Sequence, residues 1–275
     1  MSSNWRILGD RSAGRALLAV DFGPGRPEAG FADLVGNMSP ATVVMMPVFE
    51  PVGDDPAGAT DPVLRVRRWM TEIRERSLSV QGVLGYCAGG ALACLAADLI
   101  REAGCGDPHV VLLDPNWVTG RGMQSLFVSS VSTYAQLLPQ DRCQAALDVA
   151  GRVCATLGDD LTAVSSDAVF DAMRRLQEEY DGLVRLTCDQ MGADDEIGRE
   201  FSDRFSGFLN YLVTAGRVDR DVVSRRRDDA ELTVFVSMDH QLDAEFGAPA
   251  ERFAVSRNDL LADPALAKAV AASFD

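Results

Sequence analysis

The chain has 275 residues, 47% of them apolar, and a formal charge of −15 from 41 acidic and 26 basic side chains. That length suits one large domain with an insertion or two small domains, and since no Ser/Gly- or Pro-rich linker divides it, one domain is expected. The acidic excess argues against a nucleic-acid binder, which needs a basic face to neutralise phosphates.

The opening stretch MSSNWRILGDRSAGR has no apolar run before a cleavage site, and nothing further on reaches the roughly 18 apolar residues of a membrane span, so a cytoplasmic protein with no membrane attachment is expected. In chain order, β-rich and nearly continuous apolar runs fall at 15–22 (RALLAVDF), 42–49 (TVVMMPVF), 80–86 (VQGVLGY), 109–117 (HVVLLDPNW), 232–237 (LTVFVS) and 251–256 (ERFAVS). Unbroken hydrophobicity of this kind marks strands covered on both faces. Helical patterns separate most of them: DPVLRVRRWMTEIRER before the third run, GALACLAADLIREAG after it, and DPALAKAVAASF at the end. Alternating strand and helix imply a mostly parallel, doubly wound sheet, an α/β fold. Residues 121–230 break the rhythm with helical periodicity and no convincing strand. The expected organisation is therefore a core of 1–120 and 231–275 carrying a helical lid of 121–230 over the carboxyl ends of the strands, where it would enclose a pocket.

The stretch VLGYCAGGALACLAADLI passes from strand to helix through Gly85-Tyr86-Cys87-Ala88-Gly89. A strand that breaks sharply into a helix holds a nucleophile in strained backbone above the sheet, and the flanking glycines relieve crowding where the turn is tightest. Cys87 is the nucleophile candidate, and the Ala88 N–H would face a developing oxyanion. The alternative is a buried cysteine in an ordinary turn, since free cysteine is among the most buried residue types. The other five cysteines, Cys94, Cys105, Cys143, Cys154 and Cys188, read as core filler: no C-x-x-C pair or metal spacing occurs, which points to reduced thiols. No cofactor is implied, because there is no P-loop and no G-x-G-x-x-G after a strand.

A thiolate at a helix N-terminus, next to a histidine, is a competent nucleophile. Of the two histidines, His109 starts the strand after the elbow helix, at the wrong end of the sheet. His240 follows the next core strand at its carboxyl end and is the general-base candidate by elimination; a loop histidine on the surface is the competing reading. Asp114 closes the strand HVVLLD beside the elbow strand and is the candidate to orient the imidazole. Asp114 with Pro115 and Asn116 also fits a simple turn, and Asp239 and Asp243 flank His240 as competitors.

With these residues in place, the elbow GYCAGG, the apolar strand ending in Asp114 and the long helical insertion together resemble the thioesterase branch of the α/β hydrolases, which processes carrier-bound chains in polyketide and nonribosomal peptide assembly. The resemblance implies an α/β-hydrolase fold, an acid after the strand that follows the elbow, as at Asp114, and a helical lid. It also implies a second oxyanion donor from the loop after an early strand, here Gly23 in DFGPG. Tyr86, Asn116 and Trp117 are pocket candidates. Two departures stand out: Cys87 where serine is usual, and Asn258 and Asp259 in the stretch RFAVSRNDLLADPALAKAV where the family places its histidine.

The cysteine bears on the reaction. Transfer from a pantetheine thiol to an enzyme thiol exchanges one thioester for another, so the acyl group keeps its activation and its acidic α-hydrogens; in a dry pocket this favours attack by carbon, amine or thiol over water. The chain is similar to stand-alone Dieckmann cyclases that release tetramic or tetronic acids. That likeness implies a phosphopantetheinyl carrier protein as partner, a polyketide or peptide chain as substrate, acylation of Cys87, and deprotonation by His240 of a carbon between two carbonyls. A hydrolytic thioesterase or carrier-to-carrier acyl transferase, and a noncatalytic binding protein on the same scaffold, are the other two readings. Arg225–Arg227 and Arg65, Arg67 and Arg68 are basic clusters that could meet an acidic carrier, or simply be solvated surface.

Overall fold

A computed structural model describes residues 4–9, 14–23, 28–38, 42–53, 56–228, 231–247 and 249–274. In chain order the elements are β1 (Trp5–Gly9), β2 (Arg15–Val20), α1 (Phe31–Met38), β3 (Val43–Pro47), α2 (Pro56–Thr60), α3 (Pro62–Glu75), β4 (Ser79–Tyr86), α4 (Gly89–Glu102) and β5 (His109–Leu113). They continue with α5 (Gly120–Ser132), α6 (Gln140–Ala155), α7 (Ser166–Met191), α8 (Asp195–Gly216), α9 (Arg220–Asp228), β6 (Leu232–Val236), β7 (Ala250–Arg252) and α10 (Pro264–Ala272). Two compact units result: residues 1–48, 62–117 and 218–275 form one, and residues 49–61 and 118–217 form the other.

The first unit is built on a seven-stranded sheet in the order β1-β3-β2-β4-β5-β6-β7, parallel throughout except for β1, which runs antiparallel to β3 at the edge. The sequence reading did not anticipate β1, because Trp5–Gly9 buries only Trp5 fully and lacks the unbroken apolar run of the central strands. Those central strands are buried on both faces. One face, with Leu17, Ala19, Leu84, Tyr86, Val111 and Leu113, packs against α1, the turn at 260–262 and α10. The other face carries α4, with α3 and α9 beside it. A fully buried Leu such as Leu84 contributes about 1.5–3 kcal/mol by leaving water.

The chain winds from β2 outward to β3, then returns past β2 to begin β4 on its other side. That reversal is the switch point at which open α/β sheets form their crevice. The register brings the carboxyl ends level: Val20 pairs with Gly85, Tyr86 with Leu113, Leu113 with Phe235, and Val236 with Arg252. The residues that follow β2, β4, β5, β6 and β7 are thereby gathered along one edge.

The second unit is helical. The pair α7 and α8, of 26 and 22 residues, is joined through Gly192 in left-handed backbone, and Ser165 and Asp194 cap their N-termini. Tyr180 stacks on Phe205 at 3.9 Å between ring centres, and its hydroxyl meets that of Tyr134 at 2.7 Å. Residues 49–61 belong to this unit through hydrogen bonds from Asn210 Nδ2 to the Glu50 carbonyl and from the Val52 N–H to Ser206 Oγ, both 2.9 Å. Among the described residues, no helix is long and apolar enough to cross a membrane.

Candidate active site

Strand β4 ends at Tyr86 and α4 begins at Gly89, so the chain reverses across Cys87 and Ala88. Cys87 takes φ of +51°, a left-handed conformation that a side chain adopts at a cost. The turn is secured on both sides: the Cys87 N–H donates to the Leu113 carbonyl at 3.0 Å, and the Cys87 carbonyl accepts from Gly90 at 3.1 Å and from Asn116 at 3.2 Å. Gly85 is sterically required, since a Cβ there would lie 2.8 Å from both Ala93 Cβ and Gly90 Cα. The sulfur-bearing residue remains partly exposed while Tyr86 beneath it is buried in the core.

Asp114 follows β5 as Cys87 follows β4, also in left-handed backbone, φ +45°. Its N–H continues the ladder to the Phe235 carbonyl at 3.0 Å. The carboxylate is fully buried and accepts two hydrogen bonds from Ser237, 2.8 Å from the N–H and 2.7 Å from the hydroxyl. His240 lies in the loop after β6, with Nδ1 3.9 Å from Asp114 Oδ1 and Nε2 3.1 Å from the Pro115 carbonyl. Because a carbonyl only accepts, the proton of the neutral ring sits on Nε2. Burial pulls the imidazole below its ordinary value of 6.5; Asp114 opposes this, while the positive charges of Arg257 and Arg252 reinforce it. The loop is held by Arg252, whose Nη1 reaches the carbonyls of Ser237 at 2.5 Å, His240 at 3.1 Å and Met238 at 3.2 Å.

The structure thus brings His240 to Asp114, but among the described residues no hydrogen bond joins His240 to Cys87. The side chain on the thiol is Arg257, its Nη2 2.8 Å from Sγ and its guanidinium carbon 5.7 Å from the centre of the Tyr86 ring. Burial pushes the thiol up from its ordinary value; Arg257, by charge and hydrogen bond, and the Ala88 N–H pull it back, and buried Asp21 after β2 pushes the other way. The stretch in which resemblance implied a histidine, with Asn258 and Asp259 in view, instead delivers the residue one place earlier.

The remaining expected residues fall as follows. Ala88 is the N-cap of α4 and directs its N–H at the sulfur. Gly23 lies partly buried in the loop after β2, and residues 24–27 of that loop are outside the described residues. Asn116 is exposed, whereas Trp117 stacks on Phe246 at 4.6 Å between ring centres, under the Arg220 guanidinium at 4.9 Å. His109 opens β5 at the opposite end of the sheet and pairs with Thr233 Oγ1 at 2.8 Å. Of the arginine clusters, Arg226 is buried against Asp98, Nε to Oδ1 at 2.8 Å, and Arg65 is buried as well. Among the described residues no group of three or more His, Cys, Asp or Glu is disposed to hold a metal. Sequence reasoning missed Arg257, Ser237 and Arg252. Each acts from a loop or strand end whose partner is more than ten residues away, and only for Arg257 was there a signal, as the one basic side chain in the tract SRND.

A mostly parallel sheet wound on both faces, with its polar residues at the strand-to-helix elbow and at the ends of the next two strands, is the α/β-hydrolase fold, and the chain has that fold. No family model matches the sequence, and no curated protein matches it. By structure, 99% of the chain superposes on 20% of a four-domain nonribosomal peptide synthetase in its holo form, bound to AMP and glycine, with 13% identity and a TM-score of 0.56. The chain spans about a fifth of that protein. The Vlm2 thioesterase domain carrying 2,3-diaminopropionic acid and a dodecadepsipeptide superposes with 15% identity and a TM-score of 0.46, over 98% of this chain and 97% of that one. A lipase-esterase related protein from Clostridium acetobutylicum gives 15% identity and a TM-score of 0.48, over 98% of each chain.

Proposed function

We infer that the protein is an enzyme that processes acyl thioesters, in which Cys87 accepts an acyl chain from a phosphopantetheinyl carrier protein and releases it by intramolecular Claisen-type (Dieckmann) cyclisation to a tetramic or tetronic acid. The observation that carries the reading is the elbow: a partly exposed cysteine in left-handed backbone, with the Ala88 N–H and a guanidinium directed at its sulfur. Strained backbone at a strand-to-helix turn and positive charge on the sulfur are both features that suit a nucleophile. The fold shared with part of a nonribosomal peptide synthetase supports a carrier-bound substrate.

Cyclisation is favoured over hydrolysis because a thioester on Cys87 keeps the acyl group activated and its α-hydrogens acidic, so a carbon nucleophile forms within the substrate itself. A carbon between two carbonyls is acidic enough that a weak base suffices. Neutral His240 would take that proton on Nε2 after its bond to Pro115 opens and its own proton passes by way of water to Nδ1, the nitrogen that faces Asp114, whose buried carboxylate then stabilises the imidazolium. The carbanion would then attack the Cys87 thioester, close a five-membered ring and expel the thiolate, with Ala88 and Gly23 receiving the oxyanion. Tyr86, Asn116 and Trp117 are proposed to border the acyl chain.

The test is intact mass after incubation with a model β-ketoacyl-aminoacyl thioester, with product analysis alongside. An adduct on Cys87 and a five-membered cyclic β-dicarbonyl are expected, and C87A should lose both. Free acid as the sole product would favour the hydrolytic thioesterase. The engagement of His240 away from the sulfur is the observation on the side of a noncatalytic binding protein, and failure of Cys87 to label with a thioester or a chloromethyl ketone would favour that reading.

A further inference from the structure

The guanidinium on the sulfur limits which acyl donors this site can use. Arg257 is placed by backbone, not by chance rotamers: its N–H donates to Asp239 Oδ1 at 3.1 Å, Met238 donates to the Val255 carbonyl at 3.0 Å, and Ala29 donates to the Asn258 carbonyl at 2.9 Å. The segment bearing Arg257 is thus tied on one side to the His240 loop and on the other to the chain before α1. From there Nη2 reaches Sγ at 2.8 Å.

A guanidinium differs from an imidazole in one decisive respect: it carries charge permanently and has no lone pair to accept a proton. It can hold a thiolate but cannot take the thiol proton, and it cannot later hand a proton to a departing group. The groups around it reinforce this. Asp21 opposes the thiolate from the end of β2, the Ala88 N–H supports it, Tyr86 lies under the guanidinium, and His240 faces that same positive charge, which disfavours the imidazolium.

We propose that Arg257 is the counter-ion of the Cys87 thiolate, and that the site therefore accepts acyl groups from donors whose leaving group departs as a stable anion, thioesters in preference to alkyl oxygen esters. The assignment deepens the acyl-transfer reading, and its second half rests on that reading. The thiol first loses its proton to water. Sγ then attacks the thioester carbonyl carbon, the Sγ–C bond forms, the carbon–sulfur bond to pantetheine breaks, and the pantetheine sulfur leaves with the bonding pair and takes a proton from water. One thioester and one thiol are consumed, and one of each is formed. An alkoxide, far more basic than a thiolate, needs a proton as it leaves, and the guanidinium on the sulfur does not release one.

The experiment has two arms on the full chain. Alkylation of Cys87 by iodoacetamide is followed against pH by peptide mass, which separates it from the partly buried Cys105 and Cys188. R257Q should move the midpoint upward by about one pH unit or more, as loss of an adjacent opposite charge does, and R257K should restore most of the shift. An unmoved midpoint in R257Q overturns the counter-ion. The second arm uses the native protein, so it stands even if R257Q fails to fold. Cys87 acylation by an N-acetylcysteamine thioester should exceed that by the matching ethyl ester by about 10²–10⁴-fold, the range a proton donor contributes, while a p-nitrophenyl ester, whose leaving group is a stable anion, should acylate. An ethyl ester within about tenfold of the thioester overturns the donor preference. If no donor acylates Cys87 yet R257Q moves the alkylation midpoint, the acyl-transfer reading and the donor preference fail and the counter-ion stands.

Discussion

At the scale of single residues, the site is a set of strained or buried polar groups that other side chains hold in place. Asp114 is the clearest case: a fully buried carboxylate in left-handed backbone that accepts from both the N–H and the hydroxyl of Ser237. D114N places an amide where two donors converge, so one of them loses its acceptor; the expected cost is about 1–3 kcal/mol, read as a lower denaturation midpoint. Cys87 gives a kinetic counterpart. Burial holds its thiol above the ordinary value of 9.0 despite Arg257, so the nucleophilic form gains population only as the pH rises into that region. Acylation or alkylation rates of the native protein should therefore keep climbing beyond pH 9.0; a plateau already reached near neutrality would contradict the effect of burial. Cys87, Asp114 and His240 were all readable as candidates, because each sits at the end of an apolar run or in a marked turn. The partner of the sulfur was not readable, since 170 residues separate Cys87 from Arg257 and nothing local to either encodes the other.

At the scale of elements, strand register does the assembling. Gly85 pairs with Val20 on one side and Leu112 on the other, and its missing Cβ lets α4 start directly over β4. G85A would set a methyl 2.8 Å from Ala93 Cβ and the Gly90 backbone. Because backbone cannot yield as a side-chain tip can, the elbow should shift: a loss of about 1–3 kcal/mol and loss of Cys87 labelling are expected, by thermal melting and by peptide mass. The central strands were legible because sheets covered on both faces demand continuous apolar runs. Strand β1 escaped notice for the converse reason, as an edge strand with one fully buried residue. The run at 251–256 shrinks to a strand of three residues, Ala250–Arg252, and its remainder turns back toward the His240 loop and the thiol. That departure from regular structure is what delivers Arg257.

At the scale of the whole molecule, the two histidines couple stability to pH on the acid side. Burial lowers His240 and His109 below 6.5 in the folded chain. The unfolded chain then binds more protons than the folded one between the folded values and 6.5, so the stabilisation is fully present above 6.5 and is lost as the pH falls below it. Denaturation midpoints should decline on acidification from that point, before the carboxylates protonate, and H109N/H240N should remove that part of the decline. Periodicity and turn chemistry are local, and they suffice to specify the doubly wound sheet, the elbow at Cys87 and the strand ends on which Asp114 and His240 ride. Which side chains meet follows from packing: a buried carboxylate takes whichever donors the register supplies, here Ser237, and the partly exposed sulfur of Cys87 takes the charge that a distant loop delivers, here Arg257. Such pairings are settled by packing between segments far apart in the chain, and no window of sequence contains both partners.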